Sequence, residues 1–236
     1  MSKKVTNPNE KSYGFIIAIV AIVILAAAVI GYIVTSGNKA VSDKFASLKA
    51  DPVAFSVSVA DNAVELKADS VAADAPVVDI YEDYSCPHCA ELAEATDADM
   101  KQLLEDGKVI VRIRSLNFLD RDNFGHSSKV GAAAEGLAKS GNAAAYWNFR
   151  AKLLADQSTA YGVWTPENFS QIAAAYGADD SVVADVKDEA FNDAYLASAK
   201  ANAAKLEKEH AKISSPRVII NDKEVENPFE WVAEIQ

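Results

Sequence analysis

The stretch Val77-Val78-Asp79-Ile80-Tyr81-Glu82-Asp83-Tyr84-Ser85-Cys86-Pro87-His88-Cys89 decides how the chain is read. Its first part, 77–84, is a short run of apolar, β-branched and aromatic residues, the pattern of a buried strand. Ser85 is a good helix cap and Pro87 a good early helical residue, so a helix is predicted to follow at once. It should run to about Glu105 and stop at Gly107. The two cysteines of the chain, Cys86 and Cys89, therefore stand at a strand-to-helix junction. There the unpaired N–H groups and the helix dipole favour negative charge, which lowers the pKa of the first thiol. A stabilised thiolate is a good leaving group, so a disulfide at Cys86 is easily transferred. Cys89 lies one turn in, close enough to bond to Cys86 and more buried. His88 adds a second source of positive potential.

Three other readings of the pair are weaker. A structural disulfide with this spacing closes a tiny loop and constrains little of the unfolded chain. Half a zinc site lacks its other half, because His126 and His210 do not have the H-x₃₋₅-H spacing. Two unrelated buried thiols would tend to oxidise if the domain is exported. Redox chemistry is the reading that uses both the spacing and the junction.

The chain outside the junction bounds the possibilities. It has 236 residues, 50% of them hydrophobic, with 10 Gly and 7 Pro, which excludes a disordered or fibrous chain. Two cysteines cannot make a multi-bridge scaffold or a four-cysteine metal site. A net charge of −11 argues against nucleic acid as a partner. Residues 55–66 alternate around Asp61-Asn62 and are predicted to form a hairpin. Residues 109–116 read as a strand. Between Gly125 and Lys212 there are 23 Ala in 88 residues, read as an all-helical segment. Within it Thr165-Pro166 starts a helix that stops at Gly177, and one long helix is expected from about Ser181 to His210. Residues 217–220 and 224–225 read as a second hairpin, and Asn227-Pro228 opens a short terminal helix. The order predicts an α/β fold, an α+β sandwich with an inserted helical subdomain at about 125–212.

Residues 14–34 form a run of 21 residues without a charge. As a helix it would reach about 31 Å, the thickness of a bilayer's hydrocarbon core. A buried soluble helix is disfavoured because the run is apolar on every face. A cleaved signal peptide is disfavoured because the run exceeds the usual apolar core and no small-x-small site follows. The expected layout is a cytoplasmic tail at 1–13, a transmembrane anchor at 14–34, a polar linker at 35–52 and a catalytic domain at 53–236. A large domain outside the membrane is the default orientation.

The segment Asp83-Tyr84-Ser85-Cys86-Pro87-His88-Cys89 resembles the active site of DsbA-like thiol-disulfide oxidoreductases of the thioredoxin superfamily. The resemblance extends to 146–157 and 165–177, which are similar to the family's helical insert, and to Ser214-Ser215-Pro216-Arg217-Val218-Ile219-Ile220-Asn221, where the family has its cis-proline and final hairpin. With the amino-terminal anchor, the chain resembles the membrane-anchored actinobacterial MdbA type. The resemblance implies a thioredoxin-like fold, Cys86 as the attacked sulfur and Cys89 as its resolving partner. It implies that Pro87 and His88 tune the potential, that Pro216 is cis and faces the pair, and that Ser215 offers backbone groups to an extended substrate. No cofactor or metal is implied beyond the Cys86–Cys89 disulfide itself. The implied partners are unfolded exported proteins with free thiols, and a membrane re-oxidase of the DsbB or VKOR type.

Two departures stand out. Relatives often carry an acid six positions before the first cysteine to relay protons, and Ile80 stands there. Asp79 should point to the opposite face of the strand, which leaves Asp79, Glu82 or water for proton handling at Cys89. Arg217 follows the proline, read as capping a strand at the surface in preference to lying near the site. Trp147, Trp164 and Trp231 are read as packing residues, His126 as structural, and His210 as solvated. The expected function is a membrane-tethered, extracytoplasmic oxidase that introduces disulfides into exported proteins. The alternatives are a reductase or isomerase of the same fold, or a non-catalytic chaperone or metal carrier.

Overall fold

Residues 13–121 and 123–235 are described by a computed structural model, and side chains among them except at 13–15 and 33–44. The chain divides into two units, Met1–Lys44 and Phe45–Gln236.

In the first unit, helix α1 (Tyr13–Phe45) begins, and its last residue opens the second unit. Its described side chains run from 16 to 32, and Ile17, Ile22, Leu25 and Ile30 among them are exposed. Among the described residues no helix is long and apolar enough to cross a membrane. The expected spanning helix at 14–34 is therefore not supported among the described residues. The tail at 1–13 lies outside the described residues but for Tyr13. The segment read as a polar linker, 35–52, is helical as far as Phe45.

The second unit is organised on a six-stranded sheet, in the order β1-β2-β4-β3-β5-β6. Strands β1 (Ser56–Ala60) and β2 (Ala63–Lys67) form the first hairpin, turning at Asp61 and Asn62, both with positive φ. Asn and Asp tolerate that left-handed conformation better than most residues. Strand β3 (Val77–Asp83) is central, parallel to β4 (Ile110–Leu116) and antiparallel to β5 (Arg217–Ile220). It is covered on both faces from Val78 to Asp83, which suits its run of Val, Ile and Tyr. Its charged members, Asp79, Glu82 and Asp83, are buried and each finds polar partners. Strand β6 (Lys223–Glu224) completes the second hairpin.

Helix α2 (Pro87–Glu105) joins β3 to its parallel neighbour β4, and Gly107 ends the connection with φ +68. Among the described residues between β4 and β5 lie a 3-10 turn at Phe118–Asp120 and six helices. These are α3 (His126–Lys139), α4 (Ala143–Ala155), α5 (Gln157–Ala160), α6 (Pro166–Ala175), α7 (Asp180–Lys187) and α8 (Asn192–His210). The long helix expected from Ser181 to His210 is thus two helices. The chain breaks at Glu189, with φ 57, and Phe191 then packs its ring where Gly136 of α3 has no side chain. Gly131 admits the Tyr195 ring of α8 in the same way. Any Cβ at either glycine would collide with an aromatic ring, so α3 and α8 approach closely because these positions are empty. The terminal helix is a 3-10 helix, Pro228–Glu234, entered through an Asn227 side chain that accepts from Phe229 N–H.

The tryptophans pack as expected. Trp147 meets Phe55 edge-on, Trp164 meets Phe45 edge-on, and Trp231 is fully buried.

Candidate active site

The end of β3 and the start of α2 place both cysteines. Cys86 occupies the cap position of α2 with an extended backbone, and Pro87 is the first helical residue. The expectation that Ser85 caps the helix is corrected, because no side chain caps it. The Ser85 hydroxyl instead hydrogen-bonds to Ser127 of α3 at 2.6 Å. The junction is held from the side by Gln157 of α5, whose amide donates to the carbonyls of Tyr84 and Cys86 at 2.8 and 3.0 Å.

Both cysteines are free thiols and both are buried, Cys86 less so than Cys89. The Cys86 thiol lies 3.4 Å from the carbonyl oxygen of Ser215, and the Ser215–Pro216 bond is cis. Among the described residues the buried Ser215 hydroxyl has no hydrogen-bond partner of its own, which leaves it able to donate to a thiolate. The structure thus brings Cys86, Cys89, Ser215 and Pro216 together from two distant parts of the chain.

The two thiols differ in acidity. Hydrogen bonding from Cys89 lowers the Cys86 thiol to about 5, against the opposing effect of burial. Ser215 and the backbone N–H groups of Cys89 and His88 lower it further. Burial raises the Cys89 thiol far above its ordinary value, and the nearby charge of Cys86 adds to this. A thiol lowered in this way is the one of the pair chemically suited to act as nucleophile and leaving group. His88 points outward, with 72% of its side chain exposed, and hydrogen-bonds to Glu91 at 2.8 Å. That bond raises the His88 pKa.

The carboxylates named for proton handling at Cys89 are taken up elsewhere. Asp79 accepts from Arg114 Nε at 2.5 Å, and Arg114 also binds Asp61. Glu82 accepts from Arg150 Nη2 at 2.6 Å, and Arg150 also reaches Asp97 at 2.8 Å. The acidic residue whose backbone meets Cys89 is Asp83, which the sequence reading passed over. It is fully buried, and its backbone N–H points at Cys89 Sγ, 3.5 Å away. Its carboxyl oxygens accept from Ser85 N–H at 2.8 Å, Ser127 Oγ at 2.5 Å and Leu119 N–H at 3.2 Å. Burial raises its pKa to about 6, against the effect of those three bonds. Burial by segments far away in sequence produces that rise, and no local pattern marks it.

The remaining candidates resolve as follows. Arg217 opens β5, forms a two-pronged pair with Glu224 and donates to the carbonyl of Lys212 at 2.9 Å. It ties the two sides of the hairpin and the chain leading to Pro216. His210 is not solvated as expected. Only 13% of its side chain is exposed, and it lies 3.6 Å from Glu224. His126 is buried, its Nε2 has no hydrogen-bond partner among the described residues, and it stacks edge-on to Tyr161 and Phe169. Burial lowers its pKa. Among the described residues no group of three or more His, Cys, Asp or Glu side chains is placed to hold a metal ion.

The thioredoxin family profile matches residues 72–234. Among solved structures, the MdbA thiol-disulfide oxidoreductase of Corynebacterium diphtheriae is 44% identical, with 82% of this chain and 99% of that chain covered and a TM-score of 0.80. The MdbA protein of Corynebacterium matruchotii is 40% identical, with 86% and 100% covered and a TM-score of 0.79. The MdbA protein of Actinomyces oris is 25% identical, with 75% and 90% covered and a TM-score of 0.59. No curated protein sequence matches the chain.

Proposed function

From the premise that the chain belongs to the thioredoxin family, as a DsbA-like thiol-disulfide oxidoreductase of the MdbA type, we propose that it works in the oxidising direction on exported proteins. The observation that carries this is the seat of the Cys86 thiol, at the helix start and 3.4 Å from the carbonyl before cis-Pro216. A substrate thiolate attacks Cys86 of the Cys86–Cys89 disulfide, and Cys89 departs with the electron pair. A second substrate thiolate then attacks the substrate sulfur of the mixed disulfide. Cys86 leaves as a thiolate, and its low pKa makes that departure easy. The substrate dithiol is oxidised and the enzyme disulfide reduced, so electrons pass only between sulfur atoms and the step calls for no metal or organic cofactor.

The substrates in this reading are unfolded exported chains with free thiols. An extended segment pairs with the backbone at Ser215. A membrane re-oxidase of the DsbB or VKOR type restores the disulfide. The uncharged run at 14–34 supports a single-pass tether that keeps the domain on the extracytoplasmic side.

Refolding of a reduced, disulfide-requiring protein tests the activity. The oxidised protein should restore its activity, and a Cys86→Ala variant should not. Equal recovery with both would overturn the reading. The reduction potential tests the direction. It should lie well above that of thioredoxin, about −270 mV, and a value near thioredoxin's would make the protein a reductase. Recovery of the full chain in the soluble fraction of cells would remove the tether.

A further inference from the structure

Resting on the exchange reaction above, we propose that Gln157 is a positioning residue of that reaction: its amide clamps the carbonyls of Tyr84 and Cys86 and so keeps the first turn of α2 aimed at the Cys86 sulfur. The amide donates to the Tyr84 carbonyl at 2.8 Å and to the Cys86 carbonyl at 3.0 Å, across 73 and 71 positions of sequence. A carboxamide nitrogen carries two N–H groups, and this pair of bonds uses both. The Tyr84 carbonyl lies past the end of β3 and before α2, and among the described residues the Gln157 amide is its hydrogen-bond partner. The Cys86 carbonyl accepts from the Cys89 and Ala90 N–H groups at 3.0 and 3.4 Å, and Gln157 adds a third donor. With no side chain capping α2, the direction of its first turn is set by how the Cys86 backbone is held.

Gln157 is itself held in place. It is buried at the head of α5, where its carbonyl accepts from the Tyr161 N–H at 2.9 Å. Asp156 before it ends α4, and the Asp156 carbonyl accepts from the N–H groups of Thr159 and Ala160 at 2.8 and 2.9 Å. The Asp156 carboxylate pairs with Lys152 at 2.8 Å. The helical insert thus reaches the redox junction through one side chain whose backbone is tied on both sides.

The consequence differs between the two redox states. In the dithiol the Cys86 thiol is the acidic one, and the N–H groups of His88 and Cys89 are among the donors that make it so. Those N–H groups belong to the turn whose leading carbonyl Gln157 holds. In the disulfide the same sulfur carries no charge, and donors aimed at it gain little. A contact that only holds the fold stabilises both states alike and cancels from the reduction potential. A contact that keeps donors on the Cys86 thiolate stabilises the dithiol alone, and so raises the potential. Gln157 belongs to the second kind.

The test compares the full chain with its Gln157→Met variant, which keeps the length of the side chain and removes both donors. Two quantities are read. One is the pH dependence of Cys86 alkylation by iodoacetamide. The other is the equilibrium with glutathione, in which enzyme dithiol and glutathione disulfide give enzyme disulfide and two glutathione thiols. In the variant the alkylation inflection should move up by about half a pH unit or more, roughly a threefold loss of thiolate below it. The glutathione equilibrium should move by about threefold or more toward the enzyme disulfide. A variant weakened in urea with both quantities unchanged would make Gln157 a fold-holding residue only and overturn the proposal. If Gln157→Met does not fold, Gln157→Glu decides, since it keeps the shape and gives up at least one donor. Its alkylation inflection should also rise, and an unchanged inflection overturns the proposal. A wild type with a potential near thioredoxin's would instead overturn the oxidising direction, and the shift between wild type and variant would still decide the role of Gln157.

Discussion

Strand β3 carries three buried acids, and the structure treats them in two ways. Asp79 and Glu82 are answered by the guanidinium groups of Arg114 and Arg150. Asp83, at the end that meets the cysteines, is answered by two backbone N–H groups and a hydroxyl. A guanidinium supplies a full opposite charge and fixes its partner by a two-pronged fit. Neutral donors hold a carboxylate in place and leave it able to take a proton. The same strand therefore pairs two of its acids with guanidinium groups in the core and holds the third with neutral donors at the end that meets the cysteines.

The largest break in this comparison comes from removing a guanidinium. Arg150 is fully buried between Glu82 and Asp97, so Arg150→Met leaves two acids buried together without a counter-charge. Loss of one partner of a buried pair costs roughly 3–5 kcal/mol. Urea denaturation of the variant should show a loss of that order. Adding Glu82→Leu should recover part of it, because the uncompensated charge and not the lost contact is then the main cost. A loss below about 1 kcal/mol would show that Arg150 is not what makes Glu82 tolerable.

A smaller effect separates Asp83 by its pH dependence. Its pKa in the folded protein, about 6, lies above its ordinary 3.8. The folded state then binds more protons than the unfolded state between these values, so this group makes the protein less stable as pH rises through about 4 to 6. A shift of that size amounts to about 3 kcal/mol. Stability of Asp83→Asn relative to the wild type, followed by denaturation from pH 4 to 7, should therefore improve by up to that amount as pH rises. A constant gap across the range would remove Asp83 from the class of acids that change state.

These residues also mark how far the sequence could be read. The hairpin at Asp61-Asn62, helix α2, the stop at Gly177 and strand β5 follow from local patterns, and all are present. The cysteine pair was legible because its chemistry lies in its spacing and in the junction that holds it. What was not legible depends on contacts across the fold. The break at Glu189 carries no Gly or Pro and is explained by Phe191 seating on Gly136 of α3. The missing Ser85 cap and the setting of the Asp83 carboxyl both trace to Ser127, which lies 42 and 44 positions away in sequence. Asp83 was hidden for a further reason. The resemblance points to position 80 for an acid, and Ile80 stands there.

The least effect should come from the exposed pair beside the site, which sharpens the comparison from the opposite side. His88 and Glu91 are 72% and 58% exposed, and pairs of this kind are screened by water and salt. Hydrogen bonding to Glu91 is the main reason the His88 pKa is raised. In Glu91→Gln the His88 ring, followed by NMR, should therefore titrate at lower pH than in the wild type. Cys86 draws its acidity first from Cys89 and from buried donors at Ser215 and the start of α2. Its titration, followed by the pH dependence of alkylation, should move by less than about half a unit, since screening weakens any charge carried by the exposed ring. A larger shift would place control of Cys86 in the exposed charge of His88, and the buried neutral donors would lose at this cysteine the role they hold at Asp83.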